Sequence, residues 1–447
     1  MLATHRYLLR RLLAAACCLL LPALALAGPL TSREQRAIAA VDHRLPAALA
    51  LLQRLVEINS GTLNRAGVRE VGRMLEPEFT RLGFRTRWAE GAAWQRAGHL
   101  LAERAGRRGS PKVLLIGHLD TVFERDSPFQ HFAQVDDSTA RGPGIIDMKG
   151  GDMILLLALQ GMADAGVIDD VSFQVVLTGD EERSGSPDSL ARADLVAAGK
   201  WADVAIGFED GDGHPQHAVI ARRGSTDWTL RTSGTPAHSS QIFREDIGSG
   251  AIYEATRILQ AFHDSLGHEP YLTLNPGLLL GGTRITLTAG AAEGKAAGKS
   301  NVIAESTYVS GDLRTLTLEQ RARALRTMQR IVKSSPPHSS AALQAEDGYP
   351  PLAPTDGNRR LLALYDSASR DLGLGAVTAV DPQKAGAADI SHVGGLVEMA
   401  LDGIGLRGDG GHTVNETANM ASLPRQAKRA TLLLMRLPTA LSKAKRR

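Results

Sequence analysis

Short apolar runs alternate with stretches of helical spacing along the first half of the chain. The runs cover residues 113–116, 171–177 and 204–208, and apolar positions at 153–165 repeat with a helical period. Runs this short and this continuously apolar are typical of strands that are buried on both faces. The alternation therefore predicts an α/β fold in which helices cover a mostly parallel sheet.

The pattern changes in the middle of the chain and then returns. Apolar positions at helical spacing in 34–58 and 68–82 predict helices before the first strands. In 226–232 and 283–288, by contrast, apolar and polar residues alternate, and both segments are rich in threonine. With helical spacing at 247–266 and 318–332, these segments predict a separate α+β unit. A helix from 358 to about 372, a strand at 396–401 and a helix at 419–436 then resume the α/β pattern. We predict a catalytic domain made of 28–221 and 353–447, interrupted by an inserted domain at 222–352.

The N-terminus has the pattern of a cleavable export signal. Three arginines precede an almost wholly apolar stretch at 12–26, and small residues end it at Ala27. A cut after Ala27 removes both cysteines of the chain, Cys17 and Cys18, and a lipid anchor on Cys17 is the alternative. We therefore expect a periplasmic or secreted protein whose core folds without disulfides.

The mature chain is expected to carry no net charge. Removing the three arginines of the signal from the 51 basic residues leaves 48, which equals the 48 acidic residues. The basic balance of the full chain thus comes from the signal. Composition gives no reason to expect nucleic acid or a membrane surface as a partner.

A histidine and an aspartate follow the first apolar run directly. His118 and Asp120 lie where a buried strand ends, which is where open α/β sheets place their chemistry. Residues two apart in an extended chain share a face, so Asp120 can reach the His118 ring or its surroundings and hold one tautomer. The pair is interpreted as a metal ligand with its orienting residue.

Four further segments carry acids or histidine at comparable places. The glycine-rich loop 142–151 contains Asp147 and lacks the residues of a phosphate-binding loop, so its backbone is expected to approach a metal centre. Glu181 and Glu182 follow the second run, and near a metal one of them could bind it while the other carries a proton. A solvated acidic loop is the alternative interpretation. Glu209 follows the third run, with Asp210 and Asp212 as competitors, and His412 follows a flexible loop.

The donor set predicts a metal-dependent hydrolase. Two histidines and three carboxylates suit Zn²⁺, Co²⁺ or Mn²⁺, and the mature chain offers no thiolate for a structural zinc site. One shared carboxylate between two ions uses these ligands economically. Two ions a few ångströms apart hold a hydroxide and polarise a carbonyl group, which is hydrolytic chemistry.

At these residues the chain resembles the M20 metallopeptidases, the group of glutamate carboxypeptidase, aminoacylase, succinyl-diaminopimelate desuccinylase and acetylornithine deacetylase. The resemblance implies two zinc ions: His118 and Glu209 on one, Glu182 and His412 on the other, and Asp147 bridging them. It implies that Asp120 orients His118 and that Glu181 is the general base, which activates the bridging water and later protonates the leaving amine. It also implies an inserted lid domain that forms a homodimer.

The resemblance extends to the inserted domain. His238, in the segment 234–239, resembles the family's histidine that reaches the oxyanion from the partner subunit. Asn301 and Arg314 also match family positions; we expect Asn301 near the substrate carboxylate, with a structural ion pair as the alternative for Arg314. Tyr349 stands where the glutamate-releasing members have an arginine, which argues against a glutamate preference. Asp389 likewise lacks the threonine that is common before it.

The leading hypothesis is a dimeric, exported di-zinc hydrolase that cleaves the amide bond of small peptides or N-acyl amino acids. A non-catalytic peptide-binding homologue is the first alternative, and it would be favoured if a ligand or the base were missing. A single-domain zinc aminopeptidase with a similar ligand set is the second. The insert of about 130 residues argues against that architecture.

Overall fold

The computed structural model describes residues 28–288 and 293–444. Its strands, in chain order, are β1 (Arg85–Glu90), β2 (Gly98–Arg104), β3 (Lys112–His118), β4 (Ala133–Gln134), β5 (Thr139–Arg141), β6 (Ser172–Thr178), β7 (Val204–Gly207), β8 (His217–Ala218), β9 (Gly224–Gly234), β10 (Thr273–Gly282), β11 (Arg284–Leu287), β12 (Gly294–Ala297), β13 (Ser306–Thr315), β14 (Ser339–Asp347), β15 (Thr378–Ala379), β16 (Met399–Leu401), β17 (Gly408–Asp409) and β18 (Thr417–Asn419). Its α-helices are α1 (Ser32–Val56), α2 (Arg65–Arg81), α3 (Gly150–Asp164), α4 (Asp188–Ala191), α5 (Ala193–Trp201), α6 (Gly250–Leu266), α7 (Leu318–Val332), α8 (Asp356–Asp371) and α9 (Ser422–Ala444). The predicted export signal, residues 1–27, lies outside the described residues.

A six-stranded sheet forms the centre of the fold, and its strand order is β1-β2-β6-β3-β7-β16. The last four strands are parallel, as the apolar runs predict. β1 and β2 add an antiparallel edge that the sequence analysis did not predict. β1 carries mostly exposed or half-buried residues, so it lacks the continuous apolar run that marks a central strand.

Helices cover both faces of this sheet. On one face α3 packs against α1 and α9, and almost every residue of α3 is buried because this helix is apolar on all sides. On the other face Leu195 and Ala198 of α5 join a smaller apolar cluster with Leu114 and Ala205 of the sheet. The mostly parallel, helix-covered sheet confirms the predicted α/β class.

A second sheet, with strand order β10-β13-β9-β14, is antiparallel throughout. It has its own apolar core, in which Trp228 and Leu230 of β9 pack with Ile258 and Phe262 of α6 and with Met328 of α7. Of its strands, the alternating pattern predicted β9; the predicted strand at 283–288 is instead the short β11, which pairs with β12. β10, β13 and β14 were not predicted.

The chain enters and leaves the second sheet side by side. Arg222 and Leu352 exchange two backbone hydrogen bonds of 3.0 Å, N to O in each direction. The division of the chain at these two residues stays a prediction. Among the residues that the structure describes, no helix has both the length and the apolar character that crossing a membrane requires.

Candidate active site

The parallel register brings three predicted segments to one edge of the central sheet. His118 ends β3 and lies opposite Thr178, the last residue of β6. Glu181 and Glu182 follow β6, and Glu209 follows the neighbouring β7. Because parallel strands present their carboxyl ends at the same edge, these side chains converge there.

Two loops from elsewhere in the chain complete the group. Asp147 lies between β5 and α3, and His412 lies between β17 and β18. His412 has a φ of +62°, a left-handed conformation that is uncommon for residues other than glycine. The backbone thus holds a strained conformation at the residue whose ring points at Asp147.

The five predicted ligands form two groups that share Asp147. Nε2 of His118 lies 3.0 Å from Oδ1 of Asp147 and 3.5 Å from Oε1 of Glu209. Nε2 of His412 lies 2.8 Å from Oδ2 of Asp147 and 3.2 Å from Oε2 of Glu182. Within each group the three donor atoms lie within 4.8 Å of one another, so each group can hold one cation.

Asp120 contacts His118 in a different way from the one predicted. Nδ1 of His118 donates to the backbone carbonyl of Asp120 over 3.1 Å, while the nearer carboxylate oxygen is 3.6 Å away. The carboxylate instead accepts hydrogen bonds from the hydroxyl of Thr62 and from the backbone N–H groups of Glu181 and Glu182, at 2.6, 3.0 and 3.2 Å. Asp120 therefore orients the imidazole through its backbone and the acidic loop through its side chain.

The glycines of the 142–151 loop also allow close packing within the protein. A Cβ atom on Gly151 would lie 2.0 Å from the carbonyl oxygen of Phe208. The lack of a side chain thus lets the start of α3 pack against the chain that leads from β7 to Glu209. Gly144 is packed as closely, since a Cβ atom there would lie 2.3 Å from the Cγ2 methyl group of Thr121.

Two buried acids that the sequence analysis did not single out hold the ligand-bearing segments. Glu416 accepts the backbone N–H groups of Gly144 and Ile146 at 3.1 and 2.9 Å, and so fixes the turn that presents Asp147. Asp402 accepts from the N–H of Glu209 at 3.4 Å. The sequence alone does not distinguish a carboxylate that accepts backbone hydrogen bonds from one that is solvated, because that difference depends on the tertiary structure.

Asp210 and Asp212, the alternatives to Glu209 as a metal ligand, belong to neither of the two ligand groups. Oδ2 of Asp212 lies 2.8 Å from Nδ1 of His217, away from the ligand group. The backbone carbonyl of Asp210 accepts from Arg407. Burial, together with the charges of Asp147 and Glu209, raises the pKa of Asp210 well above its ordinary value.

The electrostatics are those of a carboxylate cluster that is short of positive charge. Burial and the neighbouring Asp147 raise the pKa of Glu182 to about 7. Burial and the same aspartate also raise the pKa of Glu209. Hydrogen bonds to Asp147 and Glu182 raise the pKa of His412 to about 11. Without a cation, protons on the imidazoles provide the balancing charge.

Glu181 lies beside the two groups and belongs to neither of them. Its backbone N–H donates to Asp120, and this hydrogen bond fixes the position from which the Glu181 side chain extends. Burial raises the pKa of Glu181 well above its ordinary value, although the nearby His118 opposes the rise. A carboxyl group in this environment suits the uptake and return of a proton.

The predicted residues of the inserted segment, His238, Asn301 and Arg314, contact neighbours within that segment. His238 is exposed, and its Nδ1 lies 2.8 Å from the hydroxyl of Ser240. Asn301 is also exposed, and its carbonyl accepts from the N–H of Ser239 at 2.9 Å, so it is close to His238. Nε of Arg314 lies 2.7 Å from Oδ2 of Asp312, which is the ion pair that was the alternative to substrate binding.

A buried arginine that the sequence analysis did not single out lies under the acidic loop. Arg192 bonds to the carboxylate of Asp180 at 2.6 Å and lies 3.0 Å from that of Asp389. It also donates to the hydroxyl of Tyr349 at 2.9 Å. Because these partners engage its guanidinium, Arg192 does not replace the carboxylate-binding arginine that is absent at Tyr349.

Comparison with known proteins agrees with this geometry. Residues 114–436 match the model of "Peptidase family M20/M25/M40". Carboxypeptidase G2 from Pseudomonas sp. (strain RS-16) is 26% identical over 406 residues, which cover 89% of this chain and 91% of that protein.

Solved structures share the fold at lower sequence identity. Aminopeptidase PepT from Bacillus cereus has a TM-score of 0.68 at 17% identity, over 88% of this chain and 98% of that one. The YXEP protein of Bacillus subtilis, described as a dinuclear metal binding peptidase, has a TM-score of 0.59 at 14% identity, over 89% and 99%. The family match covers most of the chain, including all five residues of the two groups. The chain therefore belongs to peptidase family M20/M25/M40, and it is a hydrolase of the peptidase or amidase type.

Proposed function

We propose that the protein is a di-metal hydrolase that cleaves the amide bond of peptides or N-acyl amino acids in the manner of a carboxypeptidase. The observation that carries this proposal is the position of Asp147, whose two oxygens each face a different imidazole, at 3.0 and 2.8 Å. Each imidazole also faces its own glutamate. This is the arrangement that a pair of cations with one shared carboxylate requires.

The residues fit such a pair. Oε1 of Glu182 is buried and has no hydrogen-bond partner within the described parts of the chain. Leaving a buried carboxylate oxygen unpaired costs free energy, which a cation would offset. The donor set of imidazole and carboxylate suits Zn²⁺, with Co²⁺ and Mn²⁺ as further candidates.

The assignment of ligands follows the two groups. His118 and Glu209 would hold one ion, His412 and Glu182 the other, and Asp147 both. When bound, the ions supply positive charge that polarises a substrate carbonyl and acidifies a water molecule. His118 is kept in the required tautomer by the carbonyl of Asp120, which accepts a hydrogen bond from the proton on Nδ1.

Glu181 would carry the proton. Its carboxylate takes a proton from the attacking water and returns it to the nitrogen of the leaving amine, so the C–N bond breaks as the amine becomes neutral. Its place beside the two groups, outside both, supports this role.

We further propose that the protein acts as a homodimer in which His238 reaches the site of the partner subunit. His238 and Asn301 are exposed and lie close together in the loops that follow β9 and β12. The same unit exposes Phe243, Ile252 and Tyr253, and the rings of Phe243 and Tyr253 are 5.5 Å apart. Adjacent exposed aromatic residues are typical of a surface that another subunit covers.

The substrate class rests on the full-length likeness to a carboxypeptidase. Since Tyr349 replaces the expected arginine and Arg192 is engaged elsewhere, a C-terminal glutamate is not the proposed preference. We also propose a periplasmic or secreted location, which the export signal predicted for 1–27 supports.

The test is hydrolysis by purified mature protein before and after chelation. A panel of dipeptides and N-acyl amino acids is assayed for released amine, and Zn²⁺ or Co²⁺ is then restored. We expect activity to disappear with the metal and to return with it. Hydrolysis that persists in metal-free protein would refute the proposal, and binding without hydrolysis in metal-replete protein would favour a peptide-binding homologue.

A further inference from the structure

Tyr349 lies on the segment that joins the second sheet to the central one. It follows β14, and its backbone N–H donates to the hydroxyl of Ser225 at 3.1 Å, while its carbonyl accepts the N–H of Ser225 at 2.9 Å. Ser225 is in β9. Tyr349 is therefore tied to both chain segments through which the second sheet is connected.

The phenol of Tyr349 points away from this junction and reaches the acidic loop. Its hydroxyl donates to the backbone carbonyl of Glu181 at 2.8 Å and accepts from Nη2 of Arg192 at 2.9 Å. Arginine has only donors, so the single phenolic proton is directed to the Glu181 carbonyl. The ring also packs edge-on against His392, with centroids 5.0 Å apart.

Arg192 fixes the position of that hydroxyl. It is buried, and it bonds to the carboxylate of Asp180 at 2.6 Å and to the carbonyl of the same residue at 3.0 Å. Nη2 also donates to the hydroxyl of Ser184 at 2.8 Å. The phenol oxygen thus accepts from Arg192 at 2.9 Å and, over a longer 3.4 Å, from the hydroxyl of Ser184, and it donates to one acceptor, the carbonyl of Glu181.

We propose that Tyr349 is a positioning residue for Glu181. The backbone of Glu181 is then held on both sides: Asp120 accepts its N–H at 3.0 Å, and Tyr349 donates to its carbonyl at 2.8 Å. One support comes from the central sheet and the other from the connection to the second sheet. The placement of the proton carrier depends on how the second sheet is attached.

This proposal rests on the proposed function, in which Glu181 moves the proton. It gives Tyr349 a role different from that of an arginine at the same position, which would bind a substrate carboxylate. The phenolic hydroxyl already donates its proton to the carbonyl of Glu181, so it does not donate to the substrate. A loss of the hydroxyl should therefore affect the chemical step and leave substrate binding intact.

The test compares Tyr349→Phe with wild type in the metal-loaded, full-length mature protein. Phenylalanine keeps the ring and removes the hydroxyl. We expect kcat to fall roughly tenfold, with KM and metal content close to wild type. The matched control is Tyr365→Phe, which removes another buried phenol hydroxyl, one that lies 3.4 Å from Gln426 and belongs to α8; we expect it to leave kcat unchanged.

Amide hydrogen exchange gives a readout that does not need activity. In Tyr349→Phe we expect faster exchange in a peptide that spans 179–186 and unchanged exchange in one that spans 112–118. An unchanged kcat, or a higher KM with an unchanged kcat, would overturn the proposal. If the metal-loaded wild type hydrolyses no amide, the proposed function fails, and the exchange measurement alone still decides whether Tyr349 holds the loop: unchanged exchange at 179–186 would overturn that too.

Discussion

Oδ1 of Asp120 accepts the backbone N–H of Glu181 at 3.0 Å. The acidic side chain that follows β3 therefore fixes the loop that follows β6, and the backbone of the same residue fixes the His118 ring. Asp120 thus positions both His118, a proposed metal ligand, and Glu181, the proposed proton carrier. This explains why an acid two residues after the histidine is useful even though its carboxylate is 3.6 Å from the ring.

Replacing Glu181 by glutamine is expected to lower kcat roughly 10²- to 10⁴-fold, because the amide cannot take the proton. Metal content should stay at the wild-type level, since Glu181 is in neither three-residue group. Steady-state kinetics and elemental analysis of the same preparation check both statements. Glu319→Gln, a change at an exposed helical acid, is the control. Loss of metal in step with activity would make Glu181 a ligand instead.

Replacing Glu416 by glutamine is expected to weaken metal binding about 10- to 100-fold. The carboxylate accepts three backbone N–H groups of the turn that presents Asp147: Oε2 accepts that of Gly144, and Oε1 accepts those of Ile146 and Asp147. An amide nitrogen in place of either oxygen cannot accept a hydrogen bond. Competition with a chromogenic chelator measures the affinity. Glu398→Gln, which changes an acid paired with Arg360 at the surface, should bind metal as wild type does. Wild-type affinity in Glu416→Gln would show that the turn holds its shape without this support.

The sequence predicts the parallel strands and the acids and histidines that follow them, because both are local features. A continuous apolar run marks a strand that is buried on both faces, and an acid directly after it stands out. The residues that hold the ligand-bearing loops in place could not be predicted, because their contacts are not local. Glu416 and Ile146 are 270 residues apart in the chain, and the hydrogen bond between them exists only after folding.

Three of the missed strands, β1, β10 and β14, lie at sheet edges, which gives an equally physical reason. β10 has mostly exposed or half-buried residues and contains Pro276, so it lacks the alternation that predicts a half-buried strand. β1 is at the edge of its sheet and β14 at the edge of the second one, where solvent replaces a neighbouring strand. Edge strands need less apolar surface, and their pattern is correspondingly weak.

Glu34 gives a pH dependence to stability that is separate from the active site. Burial opposes its ionisation, but the N–H of Thr31 and the guanidinium of Arg436 outweigh burial and lower the pKa below the ordinary 4.5. A lowered carboxyl pKa stabilises the fold above 4.5, and this stabilisation is lost as the pH falls through the folded-state value. Glu34→Gln should therefore be about 1 kcal/mol less stable at neutral pH.

Urea unfolding of wild type and Glu34→Gln from pH 7 down to pH 3 measures this difference. The gap between the two curves should be constant above about pH 5 and should narrow below 4.5. Glu319→Gln, at the exposed start of α7, is the matched control and should show little dependence. A gap of the same size at every pH would mean that Glu34 stabilises the fold without its charge.

Mixing two inactive variants tests whether His238 acts across a dimer. A subunit with His238→Ala keeps its own Glu181, and a partner with Glu181→Ala supplies an intact His238. Mixed dimers should therefore contain one working site, and an equal mixture should recover up to about a quarter of wild-type activity. Dimers that exchange subunits without any recovery would place His238 in the site of its own chain.

The most direct test of the two-ion site is the metal content of metal-replete protein, measured by elemental analysis on wild type and on Asp147→Ala. Asp147 contributes an oxygen to both groups, so its loss should affect both ions. We expect about two divalent ions per wild-type chain and far fewer in the variant. A wild-type chain without bound metal, or an Asp147→Ala chain that keeps both ions, would contradict the shared site.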